Sequence, residues 1–384
     1  MWQGSDIWLP SYLQHPKRHQ FTRPTDVMIA ICDHFSPLHQ TNKKGAIKRL
    51  KDWNSRFPEL TRSFRDNTGH PPKQTFFYPV EEYDPDLLDE IAQLCQSTGS
   101  EVEIRLHHDD DTEENFRDSL TQGQADLVKH QLLSVDAEDQ TTFGFIHGNG
   151  ALDNSDPNGR NCGIQRELQV LRESGCYGDF TMPTAPHRTQ TQMVNKIYYA
   201  VETESAKSHN HGYLVTAPQN PSKKPQEGNR PTADLRSRLD HLLLVQGPLG
   251  LNCERRKWGI FPRLENADLT GNNPPTPDRL SIWLRNAIHV QNRPDWIFIK
   301  LHCHGAINPN REMLLGKSMH RFHEHLANQF GPSSPFRIHY VSARELVNIV
   351  HAAEDGHTGN PSHFRNYLLK SRIPFQKHCL PDSV

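Results

Sequence analysis

The sequence predicts an α/β chain folded as one domain, a distorted (β/α) barrel of about seven or eight strands. Three observations support this. Short apolar runs alternate with helical patterns along the chain, as the βα units of a parallel sheet require. The 384 residues suffice for one large domain with a sizeable core. His and Asp recur at the same end of successive strand candidates, the end at which such barrels build their sites. A doubly wound open sheet is the competing arrangement, and periodicity does not separate the two.

The strand candidates, in order, are Val27–Cys32, Thr75–Pro79, Val102–His107, Phe143–His147, Tyr177–Thr181, Leu242–Gln246, Trp296–His302 and Arg337–Val341. Asp84-Pro85 supplies an N-cap and a first-turn proline for a helix striped by Leu87, Leu88, Ile91, Leu94 and Cys95, and Gly99 ends it. A second helix runs from Ile164 to Glu173 and stops at Gly175. Ser342 and Glu345 form a capping box opening Leu346 to Ala353. Residues 1–25 read as an N-terminal extension, 26–355 as the barrel with a long Pro- and Asn-rich surface loop over 217–234, and 356–384 as a C-terminal segment and tail.

Composition narrows the function classes. With 43 Lys+Arg against 45 Asp+Glu the net charge is −2, which gives no electrostatic reason to expect nucleic acid or an anionic membrane as the main partner. No apolar run approaches the ~20 residues of a membrane span. The N-terminus lacks a cationic start followed by an apolar core, so a cytoplasmic location is expected. Seven cysteines without a C-x-x-C fit a reducing compartment better than a disulfide framework.

Strand alternation singles out the chemistry among 24 histidines. In Trp296–Ala306, Ile297, Ile299, Leu301 and Cys303 share one parity and Lys300, His302 and His304 the other. In the strand beginning at Val102, Val102, Ile104 and Leu106 oppose Glu103, Arg105 and His107, and His108 and Asp109 to Asp111 follow. Some of those aspartates suit the first turn of a helix. Asp33-His34, His147 and Asp179 stand at three further strand ends. Imidazoles and carboxylates from four or five strands at one end predict a mononuclear metal centre. No cysteine accompanies these clusters, so catalytic Zn²⁺ is expected, with Fe, Mn, Co or Ni as alternatives.

The segments FFYPVEEY, EVEIRLHHDDDT, FGFIHGNGALDNS, GCYGDFTMPTAP, WIFIKLHCHGA and IHYVSARE carry a resemblance. The chain resembles the polysaccharide deacetylase (NodB-homology, carbohydrate esterase family 4) superfamily. It is most similar to a deacetylase-like group associated with bacterial exopolysaccharide clusters, over about residues 25–355. The resemblance implies metal-dependent removal of an N-acetyl group from a sugar. It places the catalytic base on Asp33, a metal ligand on His34, the His-x-x-x-His pair on His107 and Asp111, and the late-strand acid on His302 or His304. Two of these positions exchange carboxylate and imidazole relative to the family, and no Arg-x-x-x-x-Pro motif stands in third place. His108 competes with His107, which is preferred for its parity.

The function expected is therefore hydrolysis of an acyl group on an amino sugar by metal-activated water. Asp33, His302 and His304 would be catalytic, His34, His107, Asp111 and His147 would ligate the ion, and Asn149, Asp153 and Asp179 would contact substrate hydroxyls. Two alternatives compete: a carboxylate-pair glycosidase using Glu81 or Glu82 with Glu265, and a lapsed barrel that only binds saccharide. Oligomeric state is not legible.

Overall fold

The computed structural model describes residues 4–14, 24–219, 241–331 and 334–373. The loop expected over 217–234 and the end of the C-terminal segment lie almost wholly outside them. The strands are β1 (Thr25–His34), β2 (Thr75–Pro79), β3 (Glu101–Leu106), β4 (Ser134–Val135) and β5 (Thr141–His147). They continue with β6 (Cys176–Asp179), β7 (Ile197–Ala200), β8 (Gly212–Leu214), β9 (Leu242–Val245) and β10 (Gly250–Lys257). The last are β11 (Phe261–Glu265), β12 (Asp268–Leu269), β13 (Trp296–Cys303), β14 (Phe336–Tyr340) and β15 (Lys370–Ser371).

The main sheet runs in the order β12-β13-β1-β2-β3-β5-β6-β9-β7-β8, with β14 also paired to β1. Strands β12 to β9 along this path are parallel, and β7 and β8 are antiparallel. Among the described residues no pairing joins β12 to β8, so the sheet stays open. The α/β class stands, and the hydrogen bonding does not form a closed barrel. β1 gives one edge to β13 and divides the other between β14 and β2, and the path ends in a hairpin whose Gly212 and Tyr213 face solvent.

The predicted alternation decides the layers. Val27, Ile29 and Ile31, with Ile104, Leu106, Ile299 and Leu301, pack against Trp53, Phe57, Leu88 and Ile91 of the helices Lys43–Ser63 and Pro85–Thr98. Met28, Ala30 and Cys32 face the other way, into a cluster with Phe180, Leu243 and Phe298 and with Leu346, Val347 and Val350 of the helix Ala343–Glu354. That helix is buried over all of Ala343–Ala353, with its polar Arg344, Glu345 and Asn348 satisfied by Glu101, Arg365 and backbone carbonyls.

The predicted caps appear where expected. The Asp84 side chain accepts from the amides of Asp86 and Leu87, Gly99 closes its helix at φ 70°, and Ser342 and Glu345 complete their reciprocal box. The helix Glu113–Lys129 leaves the aspartates outside its first turn, because Thr112 is its N-cap and accepts the Asn115 amide.

Asp66, between the helix Lys43–Ser63 and β2, is a polar keystone. Its Oδ1 accepts the amides of Thr68 and His70, and its Oδ2 accepts the Tyr340 amide and the Arg365 guanidinium. Burial would raise this carboxyl, but His70, Arg365 and the amides bring it down to about 2. A depressed carboxyl contributes stability that is complete above its unfolded value near 3.8 and is lost as pH falls towards 2. The contribution at neutral pH is about 2 kcal/mol. Thermal melts of the Asp66→Asn variant between pH 5 and pH 2 should therefore show a flatter acid limb than those of the parent.

Candidate active site

Two clusters of ionisable side chains form along the carboxyl edge of the parallel strands. The register sets Cys32 opposite His302, Asp33 opposite Cys303, and Leu106 opposite His147. β12 places Asp268 beside His302.

The first cluster is built by β1 and β13. The His34 ring lies 5.7 Å from His302 and 4.8 Å from His304, centroid to centroid. Nε2 of His34 and Nδ1 of His302 are buried without a hydrogen-bond partner. His302 turns its other nitrogen towards Asp268, with Nε2 to Oδ1 at 4.0 Å. A ring backed by a carboxylate on one nitrogen and open on the other is how a metal-ligating histidine is commonly oriented. Burial lowers the pKa of all three rings, that of His304 to about 4, with His304, Arg105, His302 and Lys300 adding to the effect at His34 and Lys300, His304 and Arg279 at His302. Neutral imidazoles are the ligand form. Burial pushes the Asp268 carboxyl up to about 6.

Asp33 stands next to this cluster but on the opposite strand parity. Its Oδ1 accepts the Gly305 amide at 2.7 Å, and a Cβ on Gly305 would collide with its carboxylate and with the Trp53 ring. The Trp53 indole donates to the Gly305 carbonyl at 3.3 Å. Asp33 thus straps down the turn that carries His304, and burial raises its carboxyl to about 7.

Lys300 and Arg105 frame the imidazoles. The Lys300 ammonium is buried and donates to the carbonyls of Phe180 and Met182 at 2.5 and 2.7 Å, and burial lowers it to about 8. Arg105 donates to Ser36 Oγ at 2.8 Å and to the Gly148 carbonyl at 2.9 Å. His107 does not join the imidazoles: its Nδ1 pairs with the Glu81 carboxylate.

The second cluster lies where β3 and β5 end and consists of His108, His147, Cys162 and Glu167. Their donor atoms lie within 4.8 Å of one another, a spacing that can hold a metal ion. A cysteine does therefore accompany these groups, contrary to expectation, because the loop before the helix Glu167–Glu173 folds back over the end of β5. His108 Nε2 is 3.2 Å from Glu167 Oε1, and His147 Nε2 is 3.8 Å from the same oxygen. Asp111 reaches this group through His108 Nδ1, at 3.4 Å. Burial opposes the Glu167 charge, but His147, His108 and the Asp153 amide lower its carboxyl to about 2, and the same contact raises His108.

Two details distinguish this cluster from the first. It is closed, with Glu167 and His147 side chains at 0% exposure, whereas a catalytic metal needs an open position. His147 Nδ1 accepts the amides of Asn149 and Ala151 at 3.2 and 3.4 Å, which puts the ring proton on Nε2, the nitrogen that faces Glu167. Without an ion the group is a buried ion pair of His108 and Glu167 roofed by His147 and Cys162.

The structure thus divides the expected ligands. His34 falls with His302 and His304, Asp111 and His147 fall with His108, and His107 stands apart on Glu81. Of the residues expected to meet substrate, Asn149 is exposed. Asp153 is buried and accepts the Ser208 amide, and Asp179 is buried and accepts the amide and hydroxyl of Thr181 at 3.0 and 2.7 Å. Sequence reasoning did not single out Asp268, Cys162 or Glu167. Asp268 sits on a two-residue strand too short for an alternation signal, and Cys162 and Glu167 lie in a loop and a first helical turn, where spacing predicts no partner.

No family model matches the chain, and no curated protein does. Among solved structures the chain is similar to a "putative polysaccharide deacetylase from Mycobacterium smegmatis", at 12% identity and a TM-score of 0.42, over 88% of this chain and 95% of that one.

Proposed function

We propose that this chain is a metal-dependent hydrolase that removes an acyl group from an amino sugar, working at the cluster of His34, His302 and His304. The observation that carries this reading is the convergence of three neutral imidazoles from two adjacent strand ends, two with unpartnered buried nitrogens. The motif resemblance supplies the substrate class.

The donor types suit a divalent ion such as Zn²⁺, with His34 Nε2 and His302 Nδ1 as the open nitrogens, whereas among the described residues the group whose donor atoms already converge within 4.8 Å is the second cluster. Such an ion, when bound, acts as a Lewis acid and lowers the pKa of its water. The protein's own groups do the rest. Asp268 lies 4.0 Å from His302 Nε2 and, being a carboxyl raised to about 6, can carry a proton. Asp33 fixes the His304 turn through Gly305, and Arg105 puts a fixed positive charge beside the site for an oxyanion.

The glycosidase alternative loses its second carboxylate. Glu265 is held by Arg279 through bonds of 2.7 and 2.8 Å and by the Trp283 indole at 3.0 Å, so it is committed to structure.

The test is acetate release from N-acetylhexosamine oligosaccharides by purified protein, before and after chelation and after Zn²⁺ is restored. Activity that falls on chelation and returns with metal is the expected result. Activity indifferent to chelation, or no acetate from any acetamido sugar, overturns the proposal.

A further inference from the structure

The hairpin β10–β11 leaves the sheet at the rim of the imidazole cluster. β9 ends at Val245, Gly247 donates to the Met182 carbonyl that also receives Lys300, and the chain returns through Glu265 to Asp268 beside His302. The root is rigid: Asn195 exchanges bonds of 2.7 and 2.8 Å with the Leu249 backbone, and Glu265 is locked to Arg279 and Trp283.

The tip is built differently. Trp258 is 78% exposed, Ile260 68% and Phe261 56%, the three most exposed large apolar side chains among the described residues. Trp258 holds φ at 53° and Gly259 at 73°. An indole in the left-handed region costs backbone energy, and exposure in water returns none of it. Cations flank the apolar tip. Arg256 and Arg263 are exposed, Lys257 lies 4.7 Å over the Trp258 ring, and Arg255 is tied to Asp278 at 3.1 Å. Glu254 is the exposed acid on the hairpin; Glu265 is buried in its ion pair.

We propose that this tip is a docking element for an anionic bilayer surface, seating the indole, Ile260 and Phe261 at the headgroup level with Arg256, Lys257 and Arg263 on the lipid phosphates. Charge complementarity and residue type select this occupant. Trp with aliphatic and aromatic neighbours suits the membrane interface, and basic residues beside them are drawn to anionic lipid. A saccharide platform would need Asn, Asp or Gln beside the ring to bond hydroxyls, and the tip from Arg255 to Arg263 has none. The chain's overall charge of −2 conceals this local excess of cations. Among the described residues no helix is long and apolar enough to cross a membrane, and the proposed contact is peripheral. The inference rests on the hairpin alone and stands or falls independently of the hydrolase reading.

The experiment is co-sedimentation of the full chain with phosphatidylcholine vesicles, with and without phosphatidylglycerol. Binding should require the anionic lipid, weaken as NaCl rises, and fall at least about tenfold in the double variant Trp258→Ala, Phe261→Ala with unchanged circular dichroism. Each of Arg256→Ala, Lys257→Ala and Arg263→Ala should cost about fivefold in partitioning. Equal partitioning onto neutral vesicles, binding unaffected by the tip variants, or a tip-dependent dimer or polysaccharide complex without vesicle binding would each overturn it.

Discussion

Under the proposed reading, replacing His302 and His304 together by alanine is expected to empty the proposed metal site and to lower acetate release by roughly 10²–10⁴-fold, the range seen when a proton-transfer group is deleted. His302 offers an unpartnered Nδ1 to the cluster, and His304 stands 4.8 Å from His34 on a turn fixed by Asp33. Both rings are largely buried, with the His302 side chain 12% exposed, so the alanines also remove packing and folding is checked alongside activity. Circular dichroism should stay unchanged, and bound metal, counted by elemental analysis, should fall well below that of the parent. The same measurement on Cys162→Ser gives the contrast. If that variant loses the ion and the activity while the histidine variant keeps both, the chemistry belongs to the closed cluster and the assignment fails.

The largest stability effect is expected at Glu167. Its Oε1 faces His108 at 3.2 Å, its Oε2 accepts the Asp153 amide at 2.6 Å, and the Cys162 thiol lies 3.4 Å from Oε2. Glu167→Ala removes the counter-charge of a buried imidazole, strips a buried amide of its acceptor and leaves a cavity. Breaking one partner of a buried ion pair costs about 3–5 kcal/mol, against which a domain has only ~5–15 kcal/mol in reserve. Glu167→Gln keeps the volume and one acceptor oxygen and should recover part of that loss. Urea titration separates the three proteins. An alanine variant as stable as the parent would show that His108 carries no charge there and that the contact is incidental.

Much of the framework was legible in the sequence because it is local. The caps at Asp84, Gly99 and Ser342 depend on residues at most four positions apart, and each forms as read. The opposition of Ile297, Ile299 and Leu301 to Lys300 and His302 follows from the period of an extended chain, and the apolar set packs under the helices. Closure was not legible. Whether a sheet joins its two ends depends on whether β12 and β8, far apart in the chain, meet in space, and no local pattern records that. The preference for His107 over His108 shows the same limit. Parity was extended one residue beyond the strand end at Leu106, where the chain has left the sheet and alternation no longer applies.

The sequence by itself determined the α/β class, the caps and the end of the sheet at which imidazoles and acids gather. Each follows from backbone periodicity and short-range hydrogen bonding. Only the tertiary structure decided which of those groups meet: His34 with His302 and His304, Asp111 and His147 with His108 and Glu167, His107 with Glu81. Strand register and loop path set these encounters. They bring together residues more than 250 positions apart, such as His34 and His302, through contacts that no pattern in one segment can encode.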